Sequence, residues 1–141
     1  MATMKDVAKL AGVGVGTVSR VINKNESVKE STRLKVEKAI KELNYTPNEI
    51  ARTLKISQSK TIALILPTIW HPFFSELAYY TEENVSKRGF KMILCNSSSK
   101  KEKEIEYLDM LKQNKVDGII AITYNDIDRY VSSNLPIVSI D

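Results

Sequence analysis

The chain has 141 residues, 43% of them hydrophobic and 27% charged, which is an ordinary composition for a globular protein. No apolar run approaches the roughly 18–20 residues of a membrane span, and the start MATMKD lacks the apolar core of a signal peptide. We therefore expect a cytoplasmic protein with no membrane partner.

Positive charge is concentrated in the first part of the chain. Residues 1–60 carry 12 basic and 6 acidic side chains, a net charge of +6, whereas residues 61–141 carry 9 and 11, a net charge of −2. A basic surface suits the phosphate backbone of DNA, because each lysine or arginine placed on a phosphate releases counterions. Charge alone favours this interpretation no more than a merely solvated surface.

Residues 6–23 have the pattern of two short helices joined by a tight turn. Thr3 and Asp6 form a capping box at the start of the first helix, and Gly12 can adopt the left-handed conformation of the turn without steric cost. The second helix has one apolar stripe and a polar face. The stripe consists of Val18, Val21 and Ile22, and the polar face of Thr17, Ser19, Arg20 and Asn23. This pattern predicts a helix-turn-helix, whose second helix enters the major groove of DNA.

A third amphipathic helix is predicted over residues 28–44, where apolar side chains again recur at helical spacing. It would close a small three-helix domain of marginal stability. The expected core consists of Val7, Val13, Val18, Val21, Val36, Ile40 and Leu43.

A short helix is predicted directly after this domain. Thr46 is placed as its N-cap, Pro47 at its first position, and Glu49 completes a second capping box. The helix would have only about two turns, and isolated helices below roughly 12–15 residues are marginal in water. We therefore expect it to form only when held by a partner, with an ordinary linker helix as the alternative.

The second half of the chain alternates strands with helices. The strand-like runs are TIALILP, KMILC, GIIAIT and PIVSI. Between them, one helix is predicted to start at Pro72 and end before Gly89, a second contains Leu108 and Leu111, and a shorter one lies near residues 127–131. This order predicts a doubly wound parallel sheet, in which ligands bind beyond the carboxyl ends of the strands.

Catalytic, metal and cofactor sites are not expected. The glycines of residues 12–16 lack a preceding strand, and Thr17 stands where a dinucleotide motif needs its third glycine. His71 has no partner ligands at metal spacing, so a capping or pocket role is favoured. Ser19 does not lie on a nucleophile elbow. Cys95, the only cysteine, is expected to be buried in a strand.

The stretches ATMKDVAKLAGVGVGTVSRVINK and VKESTRLKVEKAIKELNYTPNEIARTLK resemble the lac repressor family of bacterial regulators, with its purine repressors as a particularly close likeness. The resemblance continues into the second half. It implies an α+β chain in two parts, a three-helix helix-turn-helix domain with a hinge helix and then an incomplete doubly wound first lobe similar to periplasmic binding proteins. The expected bounds are residues 1–46 for the helix-turn-helix domain, 47–60 for the hinge helix and linker, and 61–141 for the lobe. We expect that lobe to be incomplete at Asp141.

The resemblance also implies a function and a set of DNA contacts. The protein would be a repressor that binds a pseudo-palindromic operator in double-stranded DNA as a homodimer. The implied contacts are Thr3, Met4, Val15, Gly16, Thr17, Ser19, Arg20 and Asn23 in the first part and Ala51, Leu54 and Lys55 in the hinge.

Two departures from the family pattern affect these contacts. Val15 and Gly16 stand where hydrogen-bonding side chains are frequent, and Gly14 replaces a frequent serine cap. Direct readout should then depend on Arg20, which can contact a guanine in the major groove, with a phosphate contact as the alternative. In the hinge, Leu54 would either wedge between base pairs or pack in the dimer interface.

The loop after the first strand matches a place where family members contact an effector. The implied contacts are Trp70, His71, Phe73 and Phe74, for a sugar or a purine-like molecule bound by a full-length form of the protein. Thr68 and His71 replace the aspartate and asparagine that are frequent there, so the aromatic rings favour stacking on a flat or apolar face. The alternative is that these rings belong to the core and a lobe interface.

A rival interpretation is a doubly wound binding protein or enzyme with a helical appendage. DNA binding that falls steeply with salt would distinguish a regulator from this rival.

Overall fold

The computed structural model describes residues 1–48, 52 and 58–140. The chain divides into two compact units, Met1–Arg52 and Thr53–Asp141. The boundaries predicted above for the domains and the linker stay predictions.

The first unit contains three helices, α1 (Met4–Ala11), α2 (Val15–Ile22) and α3 (Glu30–Glu42). The capping box at Thr3 and Asp6 is present, and Gly12 has the predicted left-handed backbone with φ = 67°. The amide of Val13 donates to the carbonyl of Ala8 across this turn at 3.0 Å. The turn is therefore closed by hydrogen bonds that only the left-handed residue makes possible.

The core of the first unit matches the prediction closely. Val7, Val18 and Val36 have no exposed surface. Buried alanines allow the helices to approach each other, and partly buried side chains surround them. The alanines are Ala8 and Ala39, and the surrounding residues include Met4, Ala11, Val13, Ile22, Val28, Ile40 and Leu43.

Helix α3 is shorter than the predicted range of residues 28–44. It ends at Glu42 because Asn44 adopts φ = 47°. The amides of Asn44 and Tyr45 then donate to the carbonyls of Lys41 and Ile40, the arrangement of a Schellman cap.

The second unit is a four-stranded parallel sheet with helices on both faces. Its strands are β1 (Thr61–Leu66), β2 (Lys91–Asn96), β3 (Gly118–Ala121) and β4 (Ile137–Ser139). They lie in the order β2-β1-β3-β4, and all pairs are parallel. The helices are α4 (Pro72–Lys87) and α5 (Lys101–Gln113). The predicted doubly wound architecture is confirmed.

Strand β1 is buried on both faces of the sheet. Ala63 and Ile65 pack on one face with Leu108 and Leu111 of α5. Leu64 and Leu66 pack on the other face with Ala78 of α4. The alternation of two buried faces explains why β1 reads as a continuous apolar run.

Asp117 fixes the start of the sheet. Its Oδ1 accepts a hydrogen bond from the amide of Ser59 at 3.0 Å, and its Oδ2 accepts one from the amide of Lys60 at 2.8 Å. The carbonyl of Lys60 in turn accepts from the amide of Lys91 at 2.8 Å. The residues before β1 are therefore attached to β2 and β3 as well.

Two smaller expectations are settled by the second unit. The predicted short helix near residues 127–131 is a single 3-10 turn, Asp128–Tyr130. Cys95 is buried in β2, as predicted. None of the helices in the described part of the chain is long and apolar enough to cross a membrane.

Candidate functional site

Helix α2 presents one face to the core and one to solvent. Val18 and Val21 are buried between α1 and α3, whereas Val15, Gly16 and Arg20 are exposed. The predicted apolar stripe and the predicted contact residues thus lie on different sides of the helix.

Arg20 is the side chain on this face with the greatest capacity to bind. It lies in the last turn of α2 and is exposed, and no residue that the structure describes bonds to its guanidinium group. Gly16 lies one turn earlier, and a Cβ atom added there would meet nothing within 4 Å. The five N–H donors of Arg20 are therefore available beside an open stretch of helix, which suits a flat hydrogen-bonding surface such as a base edge.

Two other predicted contact residues are bonded to each other. Asn23 donates from Nδ2 to the carbonyl of Ser19 at 2.9 Å, which also fixes the position of its Oδ1 acceptor. Ser19 and Thr17 are half-buried. These side chains can offer single hydrogen bonds at the border of the exposed face.

The predicted contacts at the start of α1 have structural roles. The hydroxyl of Thr3 donates to Oδ2 of Asp6 at 2.7 Å, and its backbone amide donates to the same oxygen at 2.8 Å. Met4 packs against the helical core. The hinge residues Ala51, Leu54 and Lys55, with Glu49, lie outside the described residues.

The carboxyl edge of the sheet carries the residues predicted to contact an effector. Trp70 is 92% exposed and Phe73 is 57% exposed, whereas Phe74 is half-buried and packs against the core of the α4 face. His71 is the N-cap of α4, with its Nδ1 accepting a hydrogen bond from the amide of Phe73 at 3.2 Å. His71 thus has the capping role, one of the two roles predicted for it. Phe74 lies in the core, whereas the effector and lobe-interface interpretations of Trp70 and Phe73 both stay predictions.

A buried carboxylate organises the same edge, and sequence reasoning missed it. Glu104 has no exposed surface, and both of its oxygens bond to residues that follow β2 and β3. Its Oε1 lies 3.2 Å from the hydroxyl of Ser97, and its Oε2 accepts from the hydroxyl of Thr123 at 2.7 Å and from Nδ2 of Asn125 at 3.2 Å. The hydroxyl of Ser97 is also 3.2 Å from the carbonyl of Leu66. Glu104 therefore joins the carboxyl ends of β2 and β3, and Ser97 extends the link to the end of β1.

Asn96 adds a polar atom that lacks a partner at this edge. Its Oδ1 is buried and has no hydrogen-bond partner among the described residues. Its Nδ2 donates to the hydroxyl of Ser98 at 3.2 Å, and Ser98 and Ser99 both have left-handed backbones. A signal for these residues existed in the sequence, because polar side chains follow directly after the apolar runs of β2 and β3.

Comparison with known proteins identifies two matching families. Residues 3–48 match "Bacterial regulatory proteins, lacI family", and residues 59–141 match "Periplasmic binding proteins and sugar binding domain of LacI family". Both matches lie where the sequence predicted a helix-turn-helix and a sensor lobe.

Curated relatives match along the whole chain. The ribose operon repressor of Bacillus subtilis (strain 168) is 49% identical over 142 residues, covering 100% of this chain and 44% of that protein. The HTH-type transcriptional repressor PurR of Actinobacillus pleuropneumoniae is 41% identical over 145 residues, covering 100% of this chain and 43% of that protein. The chain thus spans less than half the length of these relatives.

Solved structures agree with these matches. A crystal structure of the lac repressor dimer bound to operator and the anti-inducer ONPF superposes with a TM-score of 0.86 at 28% identity, covering 98% of this chain and 44% of that one. The names of these relatives describe repressors. The chain belongs to the lacI family of bacterial regulatory proteins.

Proposed function

We propose that this protein is a cytoplasmic transcription repressor that binds a pseudo-palindromic operator as a homodimer and responds to a small-molecule effector. The observation that carries the proposal is Arg20, exposed on α2 beside Gly16 and unpaired among the described residues. The guanidinium N–H groups of Arg20 are exposed on a helix that is fixed to the core by its other face, as recognition of a base edge requires. The repressor names of the relatives and the operator-bound lac repressor dimer support the same assignment.

Homodimer formation has support in the second unit. Helix α4 exposes Tyr79 and Tyr80, which pack edge to face with their ring centroids 5.3 Å apart. The edge strand β2 exposes Leu94. Aromatic and aliphatic side chains at a surface are typical of protein interfaces.

The hinge helix is also a proposal. The amide of Arg52 donates to the carbonyl of Asn48 at 3.1 Å, which is the spacing of an α-helical hydrogen bond and supports the proposal. Leu54 would enter the minor groove and open the central base step, with Lys55 beside it on a phosphate.

The effector is proposed to bind at the carboxyl edge of the sheet. Trp70 and Phe73 offer exposed rings for stacking, and Asn96 offers a buried acceptor without a partner among the described residues. This combination suits a sugar or a purine-like molecule, which presents a flat or apolar face together with hydrogen-bond donors.

The test is selection of duplexes from a randomised pool by gel shift, followed by affinity measurements against salt concentration. Arg20→Ala should weaken binding to the selected duplex by roughly 1–3 kcal/mol and relax the preference at one base pair in each half-site. The matched control is Arg33→Ala, since Arg33 lies on α3 and pairs with Glu30 at 3.6 Å. Equal weakening by Arg20→Ala on selected and scrambled duplexes would assign Arg20 to a phosphate. If the pool yields no preferred sequence and binding does not fall with salt, the rival binding-protein interpretation gains the support instead.

A further inference from the structure

A cavity of about 630 Å³ lies at the amino edge of the parallel sheet, opposite the edge proposed for the effector. Lys60, Asp117 and Pro136 line it, and each directly precedes a strand. Its volume is in the range of small-molecule sites, roughly 300–1,000 Å³. The role proposed above for the protein makes no use of this cavity.

The walls of the cavity are positively charged. Lys60, Lys112 and Lys115 line it together with one carboxylate, Asp117, so the lining carries a net charge of +2. The Asp117 oxygens already accept backbone hydrogen bonds from Ser59 and Lys60. In the described part of the chain, neither Lys112 nor Lys115 has an ion-pair partner.

The positions of these groups favour an anion. The ammonium group of Lys60 lies 4.9 Å from the centre of the Phe90 ring, which fixes it at the cavity wall. Ser132 and Asn134 also line the cavity, and their side chains form no hydrogen bond within the described ranges. The cavity thus combines three cations with a hydroxyl and an amide that can both donate.

We propose that this cavity binds a phosphate group. A net lining charge of +2 matches a phosphate dianion, and lysine is a common phosphate ligand. Because the cavity is larger than phosphate alone, we assign the group to a phosphorylated small molecule. The same chemistry could be supplied by a backbone phosphate of bound DNA, and the experiment separates these two sources.

The test compares two double variants of the full chain that lose the same charge. Lys112→Gln with Lys115→Gln alters the cavity, whereas Lys100→Gln with Lys101→Gln alters lysines outside it. Each protein is labelled with ¹⁵N and titrated with inorganic phosphate, glucose 6-phosphate and glucose. Amide spectra that retain the dispersion of the parent show that each variant is folded.

We expect both phosphate compounds, and not glucose, to shift the amide signals of residues 115–117 and 132–135. The cavity variant should bind them about tenfold more weakly or worse, since hydrogen bonds to charged groups contribute strongly. The control variant should bind as the parent does.

A second arm measures binding to a random-sequence duplex at several salt concentrations. Each backbone phosphate held by a lysine contributes about 0.9 to the slope of log K against log salt. A smaller slope in the cavity variant alone, with no response to the free phosphate compounds, assigns the phosphate to DNA. Absence of both effects overturns the proposal. A chain that binds no DNA but still binds glucose 6-phosphate would contradict the repressor and leave the phosphate site standing.

Discussion

The hydroxyl of Thr123 donates a 2.7 Å hydrogen bond to Oε2 of Glu104, and the carboxylate that accepts it has no exposed surface. Thr123 follows β3 and Glu104 lies in the first turns of α5, so the bond joins two separate segments at the carboxyl edge of the sheet. The ends of β2 and β3, at the edge where we propose that an effector binds, are thus fixed by a polar centre as well as by apolar packing.

Replacing Glu104 should therefore destabilise the second unit. Glu104→Leu removes the buried acceptor that Thr123 and Asn125 share and should lower the free energy of unfolding by about 3 kcal/mol, whereas Glu104→Gln keeps one acceptor and should cost about 1 kcal/mol. The measurement is urea unfolding followed by NMR at amides of β1 and β3. Glu106→Leu, at an exposed position of the same helix, is the control. Equal stability of Glu104→Leu and the parent would show that the network contributes nothing.

Helix α2 lacks a side-chain cap, and adding one should stabilise the first unit. Gly14 is the N-cap with φ = −75° and ψ = 153°, and a Cβ atom there would meet nothing within 4 Å. Gly14→Ser should raise the free energy of unfolding by a few tenths to about 1 kcal/mol, and Gly14→Ala should lower it, because alanine fills the site without an acceptor. Thermal unfolding followed by circular dichroism measures both. The prediction is wrong if the two variants shift stability in the same direction.

The capping box of α1 should make stability depend on pH in the acid range. The hydroxyl and then the amide of Thr3 donate to Asp6 and hold the pKa of its carboxyl below the ordinary 3.8. A lowered folded-state pKa stabilises above the unfolded value, and that stabilisation is lost as the pH falls through the folded value. The free energy of unfolding of Asp6→Asn should therefore be lower than that of the parent at about pH 7, and the two values should approach each other at about pH 2. Glu37→Gln, at an exposed position of α3, should show no such convergence.

Cys95 should react with thiol reagents only when the second unit opens. It is 2% exposed, and burial raises its pKa from 9.0 to about 11. The thiolate is the reactive form, so reaction with DTNB should be slow in the native protein and fast in urea. Since the folded-state pKa is raised, the contribution of the neutral thiol to stability is complete below 9.0 and is lost as the pH rises toward 11. Reaction rates that are equal with and without urea would contradict the buried position.

Leu54 tests the proposed hinge helix. If its side chain wedges between base pairs, Leu54→Ala should abolish most of the DNA bend in a gel-mobility assay and remove discrimination at the central step. Half-site preferences, which depend on α2, should persist. A variant that bends the selected duplex as the parent does would leave Leu54 as a packing residue.

Periodicity and turn chemistry were sufficient to predict the four strands, the helices α1 to α5 and the turn at Gly12, because these depend on neighbours along the chain. They were not sufficient near residues 127–131, where the predicted helix is a single 3-10 turn. Glu104 could not be found this way, since a glutamate in an amphipathic helix is ordinarily placed in solvent. Its burial depends on Thr123, which is distant in sequence. The amino-edge cavity has the same origin: Lys60 and Lys115 line one cavity only because β1 and β3 pair in register. Short-range pattern thus predicts elements, whereas sites built between elements require the topology.

Asp117 fixes the chain that precedes β1 to the second unit. Its two carboxylate oxygens accept hydrogen bonds from the amides of Ser59 and Lys60. A displacement of the chain at Ser59 is therefore transmitted directly to β1. The displacement passes to the starts of β1 and β3, and through Lys91 to β2. A rearrangement of the sheet would travel along the same bonds in the opposite direction. The start of β1 is therefore anchored by three hydrogen bonds, two to Asp117 and one between Lys60 and Lys91.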